Sequence, residues 1–424
     1  MPADSNLHID PARLWGSLME LARPEFGGTP DGGMRRVALS AWDGAGRDRF
    51  RTWCAATGLG VRIDPIGNIF ARYEGADPAR APVLIGSHLD TQPTGGRFDG
   101  VLGVLAGLEM LRTLAEAGVR PEAPIELVCW TDEEGARFGR GMIGSGVWAG
   151  ELALATAEAL TDRDGISVAA ALEAIGYRGQ SAPGPLPDAY FELHIEQGPV
   201  LEDAGLRIGV VTGAQAQAWF EAVITGREAH AGTTPPAARQ DALVGAGRII
   251  DLVDRMMRAR GQDGRGTVGR LEVRPNSPNT IPGEVRFSVE FRHPSDDEIA
   301  RLAAQFPREA GFIARDAGLR LDITPRHRIA AQPFDPACIA LVEQAAAGLG
   351  LPARRIISGA GHDAISVARA GVPVAMIFTP CRGGLSHNPA ESITPEEAAQ
   401  GCQVLMNAVL ARASRGPAAA AREP

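Results

Sequence analysis

The sequence predicts an α/β protein interrupted by a smaller α+β insertion, and three observations predict it. Short apolar runs, Val83-Leu84-Ile85 and Ile125–Trp130, each end in a polar loop and read as buried strands of a parallel sheet. The style changes near Gly213, where an alternating strand and amphipathic helices begin. From about Ile329 the strand-then-helix style returns. The chain therefore divides into residues 1–213 with 330–424, and an inserted unit at 214–329. Its 424 residues suffice for two domains and a large core.

Taken in order, residues 9–60 look helical, with breaks at Pro24 and the Gly-rich stretch 27–33. Residues 61–73 alternate as a strand pair around Pro65-Ile66-Gly67-Asn68. The stretch GSHLDTQPTGGRFDGVLGVLAG, 86–107, organises the chain. His88 and Asp90 sit at a strand end, where residues two apart face the same way. A Thr/Pro/Gly turn follows, and Asp99-Gly100 open an apolar helix running to about 117. The strand Ile125–Trp130 ends in Thr131-Asp132-Glu133-Glu134-Gly135. Residues 191–194 form a short strand end before Ile195-Glu196-Gln197-Gly198. Within the insertion, 219–225, 267–273 and 284–291 read as strands, and 241–260 and 295–317 as helices. A strand at 374–378 and a helix from Pro395 close the fold. The last residues, ASRGPAAAAREP, read as a disordered tail.

Composition excludes several functions. Net charge is -9, without a basic patch dense enough for nucleic acid. All 42 basic residues are Arg, so a P-loop lysine and a Schiff-base lysine are excluded. Five Cys without paired spacing read as free thiols in a reducing compartment. The opening MPADSNLHIDPARLW has no basic-then-apolar segment, and no apolar run approaches the ~20 residues of a membrane helix. A cytoplasmic protein that spans no membrane is expected.

The chemistry-bearing residues form a constellation. Three of the eight His, at 88, 194 and 387, lie where apolar segments meet polar loops, and carboxylates occupy equivalent places at Asp99 and Glu134. Such a set suits two metals about 3.5–4 Å apart, sharing one carboxylate. Glu133 and Glu134 are adjacent at a strand end and point differently, so one can bind metal while the other handles a water's proton. Each piece alone has a plain structural alternative: a capped buried His at 88, a solvated loop at 132–134, a helix-capping loop His at 387.

The whole set resembles the dinuclear zinc amidohydrolases of the M20 metallopeptidase clan. The likeness is closest to the carbamoylase branch of N-carbamoyl-L-amino acid hydrolases, allantoate amidohydrolases and β-ureidopropionases. It runs from about residue 60 to 397. GSHLDTQPTGGRFDG is similar to the first metal block, which implies that His88 binds one zinc, Asp99 bridges both and Asp90 supports His88. TDEEGARF is similar to the second block and implies Glu133 as general base and Glu134 as a ligand of the other zinc. ELHIEQGPVLE carries His194 for the first zinc, where dipeptidase-like members usually place a carboxylate. GGLSHNPAES supplies His387 to the second.

In the insertion, GREAHAGTTP contains His230, which the resemblance implies reaches the reacting carbonyl of the neighbouring subunit. Asn279 in NSPNTIPGEV and Arg292 in VEFRHP resemble the family's grip on a substrate carboxylate, for which Arg is the best bidentate partner. Gln197 and Gln217 fall where relatives contact substrate. SGAGHDA, around Gly361 and His362, resembles a pocket-lining loop. The alternatives are a strand-end salt bridge for Arg292 and a turn His beside Gly232 for His230. The chain departs from the family at Pro236, where Met is frequent, and at Glu290, where Asp is frequent.

The fold so implied is a metallopeptidase-like catalytic domain, a mixed sheet flanked by helices, with an inserted α+β lid and dimerisation domain. The implied activity is hydrolysis of a carbamoyl (ureido) amide. The first choice is N-carbamoyl-L-amino acid to L-amino acid, carbon dioxide and ammonia, with allantoate as runner-up. The substrate would present a carboxylate and a ureido group. A peptidase or deacylase of the same clan, and a metal-free binding protein that kept the fold, are the other readings. Two divalent metal ions per subunit are expected. Zinc, manganese, cobalt and nickel all accept this ligand set. A homodimer is expected.

Overall fold

Four apolar segments form the parallel centre of a nine-stranded mixed sheet in the computed structural model, which describes residues 7–414. Val83–His88 lies between Ile125–Trp130 and Ala189–Ile195, parallel to both. Val374–Thr379 follows, parallel to Ala189–Ile195. Every residue of these four strands is buried. Burial on both faces is why they read as continuous apolar runs rather than alternations. Antiparallel strands flank them, Ile69–Tyr73 and then Gly60–Ile63 on one side and Ile208–Ala214 on the other. Helices Val101–Ala117 and Pro395–Ala413 pack on the sheet.

Parallel strands gather their C-terminal ends at one edge, where α/β folds keep their ligands. Val83–His88 leads to Asp90 and Asp99, and Ile125–Trp130 leads to Glu133 and Glu134. Ala189–Ile195 carries His194, and Val374–Thr379 leads into the loop with His387. Two glycines allow a close fit beneath this edge. A Cβ on Gly103 would lie 2.3 Å from the Leu193 carbonyl oxygen. Gly100 has φ +67°, and its Cβ would lie 2.3 Å from the His88 ring.

The described residues form two compact units, 7–213 with 333–414 and 214–332, beside the insertion expected at 214–329. The second unit has its own antiparallel sheet, ordered Leu271–Arg274, Glu284–His293, Ala216–Thr225, Arg320–Ile329. Residues of Ala216–Thr225 and Glu284–His293 alternate between buried and half-buried. Helices Ala242–Arg258 and Asp296–Asp316 supply the other half of that core.

Two expectations need correction. The single strand at 267–273 is two, Arg265–Thr267 and Leu271–Arg274, both paired with Glu284–His293. Thr267 pairs with Glu290 and Leu271 with Phe287, four steps against three, so a one-residue bulge separates them. The strand Arg320–Ile329 escaped notice because it lies at the sheet edge, mostly exposed, with Pro325 at a register shift. The tail expected at the C-terminus lies outside the described residues from 415 onward. Ala413 and Ser414 still belong to the last helix and its cap.

The close fit at Gly100 yields a stability prediction. Gly100→Ala combines overpacking, about 1–3 kcal/mol, with positive-φ strain, about 1–3 kcal/mol. Gly16→Ala, at an exposed helix position with nothing within 4 Å of its Cβ, should instead stabilise by about 0.5–1 kcal/mol. Urea denaturation of both variants checks the opposite signs; a stable Gly100→Ala protein would contradict the fit.

Candidate metal centre and active site

Asp99 stands between two groups of side chains. Its Oδ1 lies 3.2 Å from His194 Nε2 and 3.9 Å from His88 Nε2. Its Oδ2 lies 3.2 Å from His387 Nε2, which is also 3.2 Å from Glu134 Oε2. His88, Asp99 and His194 can thus hold one ion, and Asp99, Glu134 and His387 another. A tetrahedral ion about 2.0–2.1 Å from each ligand spaces those ligands about 3.3 Å apart; three of the separations, at 3.2 Å, match, and His88 stands farther off at 3.9 Å. The five residues that the sequence singles out as ligands are therefore brought together.

The imidazoles are set for coordination. His88 Nδ1 lies 2.9 Å from the Asp90 carbonyl oxygen, and His194 Nδ1 lies 2.9 Å from that of Ile195. A carbonyl only accepts, so each Nδ1 carries a proton, and each Nε2 is the nitrogen turned toward Asp99 that a cation could take in place of a proton. The first group is buried, whereas His387 is 48 % exposed.

The electrostatics point the same way. Burial works to raise Asp99, yet hydrogen bonds from His194 and His387 hold it well below the usual carboxylate range. Burial works to lower His194, but Asp99 raises it to about 9. Asp99 and then Glu134 raise His387 to about 10. Burial pushes Glu133 and Asp90 well up, helped by Asp363 for Glu133 and by Asp132 for Asp90. Buried carboxylates in this number demand positive charge, as protons or as cations. Donor set, spacing and charge all fit two divalent ions.

Glu133 stands beside the first group, its Oε2 3.6 Å from His88 Nε2 and its side chain 10 % exposed. Glu134 is held through both oxygens by Gln92, from N at 3.2 Å and Nε2 at 2.7 Å. Asp90 lies beside His88 by a route the sequence does not specify. The strand ends at His88, so the rule of alternating faces stops there. Asp90 supports His88 chiefly through its carbonyl, at 2.9 Å from Nδ1, with its carboxylate 3.8 Å from the same nitrogen; the carboxylate also accepts from the backbone N–H groups of Glu133 and Glu134. Gln197, with φ +60°, donates from Nε2 to Asp99 Oδ2 at 2.9 Å.

Gly361 is half-buried, and the next residue, His362, is buried edge-on against His194 with ring centroids 4.6 Å apart. His362 also groups with Glu192 and His194. Sequence reasoning missed Gln92, Ser386, Glu192 and Glu391, which touch ligands or their neighbours. The signal available was their place within the quoted motifs or one strand alternation from His194.

The remaining candidates lie in the second unit, in two groups. His230 is exposed, pairs across strands with Thr280, and receives hydrogen bonds at Nδ1 from the N–H groups of Gly232 and Thr233. Asn279 Nδ2 lies 3.4 Å from His230 Nε2. Elsewhere Gln217 pairs across strands with Arg292, and Trp219 with Glu290. Trp219 Nε1 donates to Gln217 Oε1, and Arg292 pairs with Glu290. The salt bridge offered as the plain alternative for Arg292 is thus present.

Known proteins place this arrangement in context. Over 406 residues the chain is 44% identical to the N-carbamoyl-L-amino-acid amidohydrolase of Rhizobium meliloti, covering 96% of this chain and 97% of that one. It is 40% identical to the N-carbamoyl-L-amino acid amidohydrolase of Geobacillus stearothermophilus, covering 95% and 98%. Among solved structures, an amidase of the hydantoinase/carbamoylase family from Burkholderia multivorans superposes with a TM-score of 0.91 at 47% identity, covering 96% and 99%. Residues 84–411 match peptidase family M20/M25/M40, and that span holds every ligand candidate around Asp99. On this match and these likenesses, the chain belongs to the peptidase family M20/M25/M40.

Proposed function

We propose that this protein hydrolyses N-carbamoyl-L-amino acids to the L-amino acid, carbon dioxide and ammonia. The observation that carries the reading is the Asp99 carboxylate shared between two donor groups, within a chain closely similar to named carbamoylases. Family enzymes use divalent metal ions. His88, Asp99 and His194 would hold one, and Asp99, Glu134 and His387 the other. Zinc suits the imidazole and carboxylate donors, and manganese, cobalt or nickel are also accommodated. When bound, such a pair supplies Lewis acidity, making a water more acidic and polarising a carbonyl oxygen.

The chain's own residues do the rest. Glu133 takes a proton from the attacking water and passes it to the leaving nitrogen. Its burial lifts its carboxyl and suits it to carrying a proton. Asp90 fixes the Glu133–Glu134 backbone through its carboxylate. Arg292, with Gln217, Asn279, Gln197 and the Gly361 loop, would bind the substrate; the guanidinium takes its carboxylate, exchanging Glu290 for it. The homodimer is part of the proposal, with His230 from one subunit donating to the oxyanion in the other's site. Its exposure supports that role. A cytoplasmic location is proposed on the five cysteines, all free and buried. Among the described residues no helix is long and apolar enough to cross a membrane.

Steady-state comparison of N-carbamoyl-L-amino acids, allantoate, N-acetyl amino acids and dipeptides tests the substrate. The highest kcat/KM is expected for an N-carbamoyl-L-amino acid; preference for allantoate or a dipeptide would overturn the assignment. A second test addresses Glu133 and His230 together. Glu133→Gln should keep its metal and lose about 10²–10⁴-fold in kcat. Mixing it with His230→Ala subunits should restore activity, toward half the wild-type value per heterodimer. Inactive heterodimers, or an active monomer, would place His230 outside the partner's site.

A further inference from the structure

We propose that Glu391 is a positioning residue for the second metal subsite, clasping the His387 loop to the backbone of the bridging Asp99. The proposal rests on the reading that Asp99, Glu134 and His387 hold a cation.

His387 alone is a poorly anchored ligand. It is exposed, it lies on a loop rather than a strand, and its φ is +54°. The first subsite differs, since His88 and His194 sit on buried strands with Nδ1 fixed by carbonyls. Something must place the His387 loop against Asp99, 288 residues earlier in sequence number.

Glu391 has the geometry to do so. It is 2 % exposed. Its Oε1 accepts from the N–H groups of Phe98 at 2.9 Å and Asp99 at 3.1 Å. Its Oε2 lies 3.1 Å from Ser386 Oγ, and that hydroxyl is 2.9 Å from Asp99 Oδ2. One buried carboxylate therefore ties Asp99 to Ser386, the residue immediately before His387. At its own end the Glu391 N–H donates to the Asn388 carbonyl at 3.0 Å, and Arg382 N–H to that of Ser392 at 2.9 Å closes the loop's neck. Gly96 provides an independent sign of the fit. A Cβ there would lie 2.1 Å from the Glu391 carboxyl carbon, so the carboxylate occupies space that only glycine leaves open.

Glu391 is not itself a ligand in this account. Its oxygens are engaged by two amides and a hydroxyl, and its task is to orient. That distinction predicts how substitutions behave. A glutamine keeps an oxygen for both amides and offers its NH₂ group to Ser386 Oγ. An alanine keeps neither.

The test is calorimetric titration of the metal-depleted full-length protein with Mn²⁺, with bound Mn²⁺ counted by electron paramagnetic resonance. Wild type should show two binding events, and His387→Ala identifies the second by abolishing it. Glu391→Ala should keep the first event and weaken the second about 10–100-fold, the usual cost of losing a ligand-orienting partner. Glu391→Gln should stay close to wild type. Retention of the first event reports that the fold is intact. If Glu391→Ala loses both events, Ser386→Ala decides: selective weakening of its second event supports the clasp, and an unchanged one overturns it. Wild-type affinity in Glu391→Ala also overturns the proposal. Equal loss in Glu391→Gln overturns it too, because charge rather than placement would then matter. Absence of any event sensitive to His387→Ala in wild type would instead defeat the two-cation reading, and the clasp with it.

Discussion

One carboxylate facing two ways is the constraint on which the rest of the centre depends. Asp99 offers Oδ1 to one group and Oδ2 to the other, so both groups must converge within about 4 Å of a single side chain. Convergence brings Glu133, Glu134 and Asp90 into the same interior. Like charges so close repel, and removing them from water costs more still. The arrangement is tenable when cations or protons sit among the carboxylates, and its imidazoles already turn their Nε2 atoms toward that space.

The fold meets this constraint from behind as well as in front. Two buried arginines stand beneath the strand ends. Arg36 donates to the carbonyls of Leu89, Leu21 and Phe26, so it grips the residue between His88 and Asp90. Arg47 pairs with Asp43 and donates to the Gly67 carbonyl at 2.8 Å. Each guanidinium satisfies backbone groups that loops would otherwise leave unpaired, and each adds positive charge near the acidic edge. The precision of the centre thus begins in helices and turns far from it in sequence, while its loops meet because four parallel strands end together.

Much of this was legible in the sequence, for a physical reason. Strands buried on both faces write uninterrupted apolar runs, and a strand-end His before a Gly-rich turn marks the ligand edge. His88, Asp99, His194 and His387 could therefore be chosen from residue type and position, whereas the choice of Glu134 over Glu133 rests on the resemblance of TDEEGARF to a known family's motif. What escaped depended on tertiary partners. No local pattern says that the Asp90 carboxylate turns to Glu133 and Glu134 while its carbonyl supports His88. Nor does one say that Glu391 reaches back to Asp99. The edge strand Arg320–Ile329 was hidden because it is wet on most positions and its apolar alternation is brief, Leu321 and Ile323 before Pro325 and a polar run. The bulge between Thr267 and Leu271 is set by pairing with Glu284–His293, which a single strand's sequence does not encode.

The most direct measurement of the central claim is anomalous diffraction from crystals of the metal-loaded protein, collected at the edge of the bound metal. Two peaks about 3.5–4 Å apart should flank the Asp99 carboxylate, one within reach of His88 and His194 and the other within reach of Glu134 and His387. A single peak on one side of Asp99, or a pair that leaves Asp99 uncoordinated, would contradict the account.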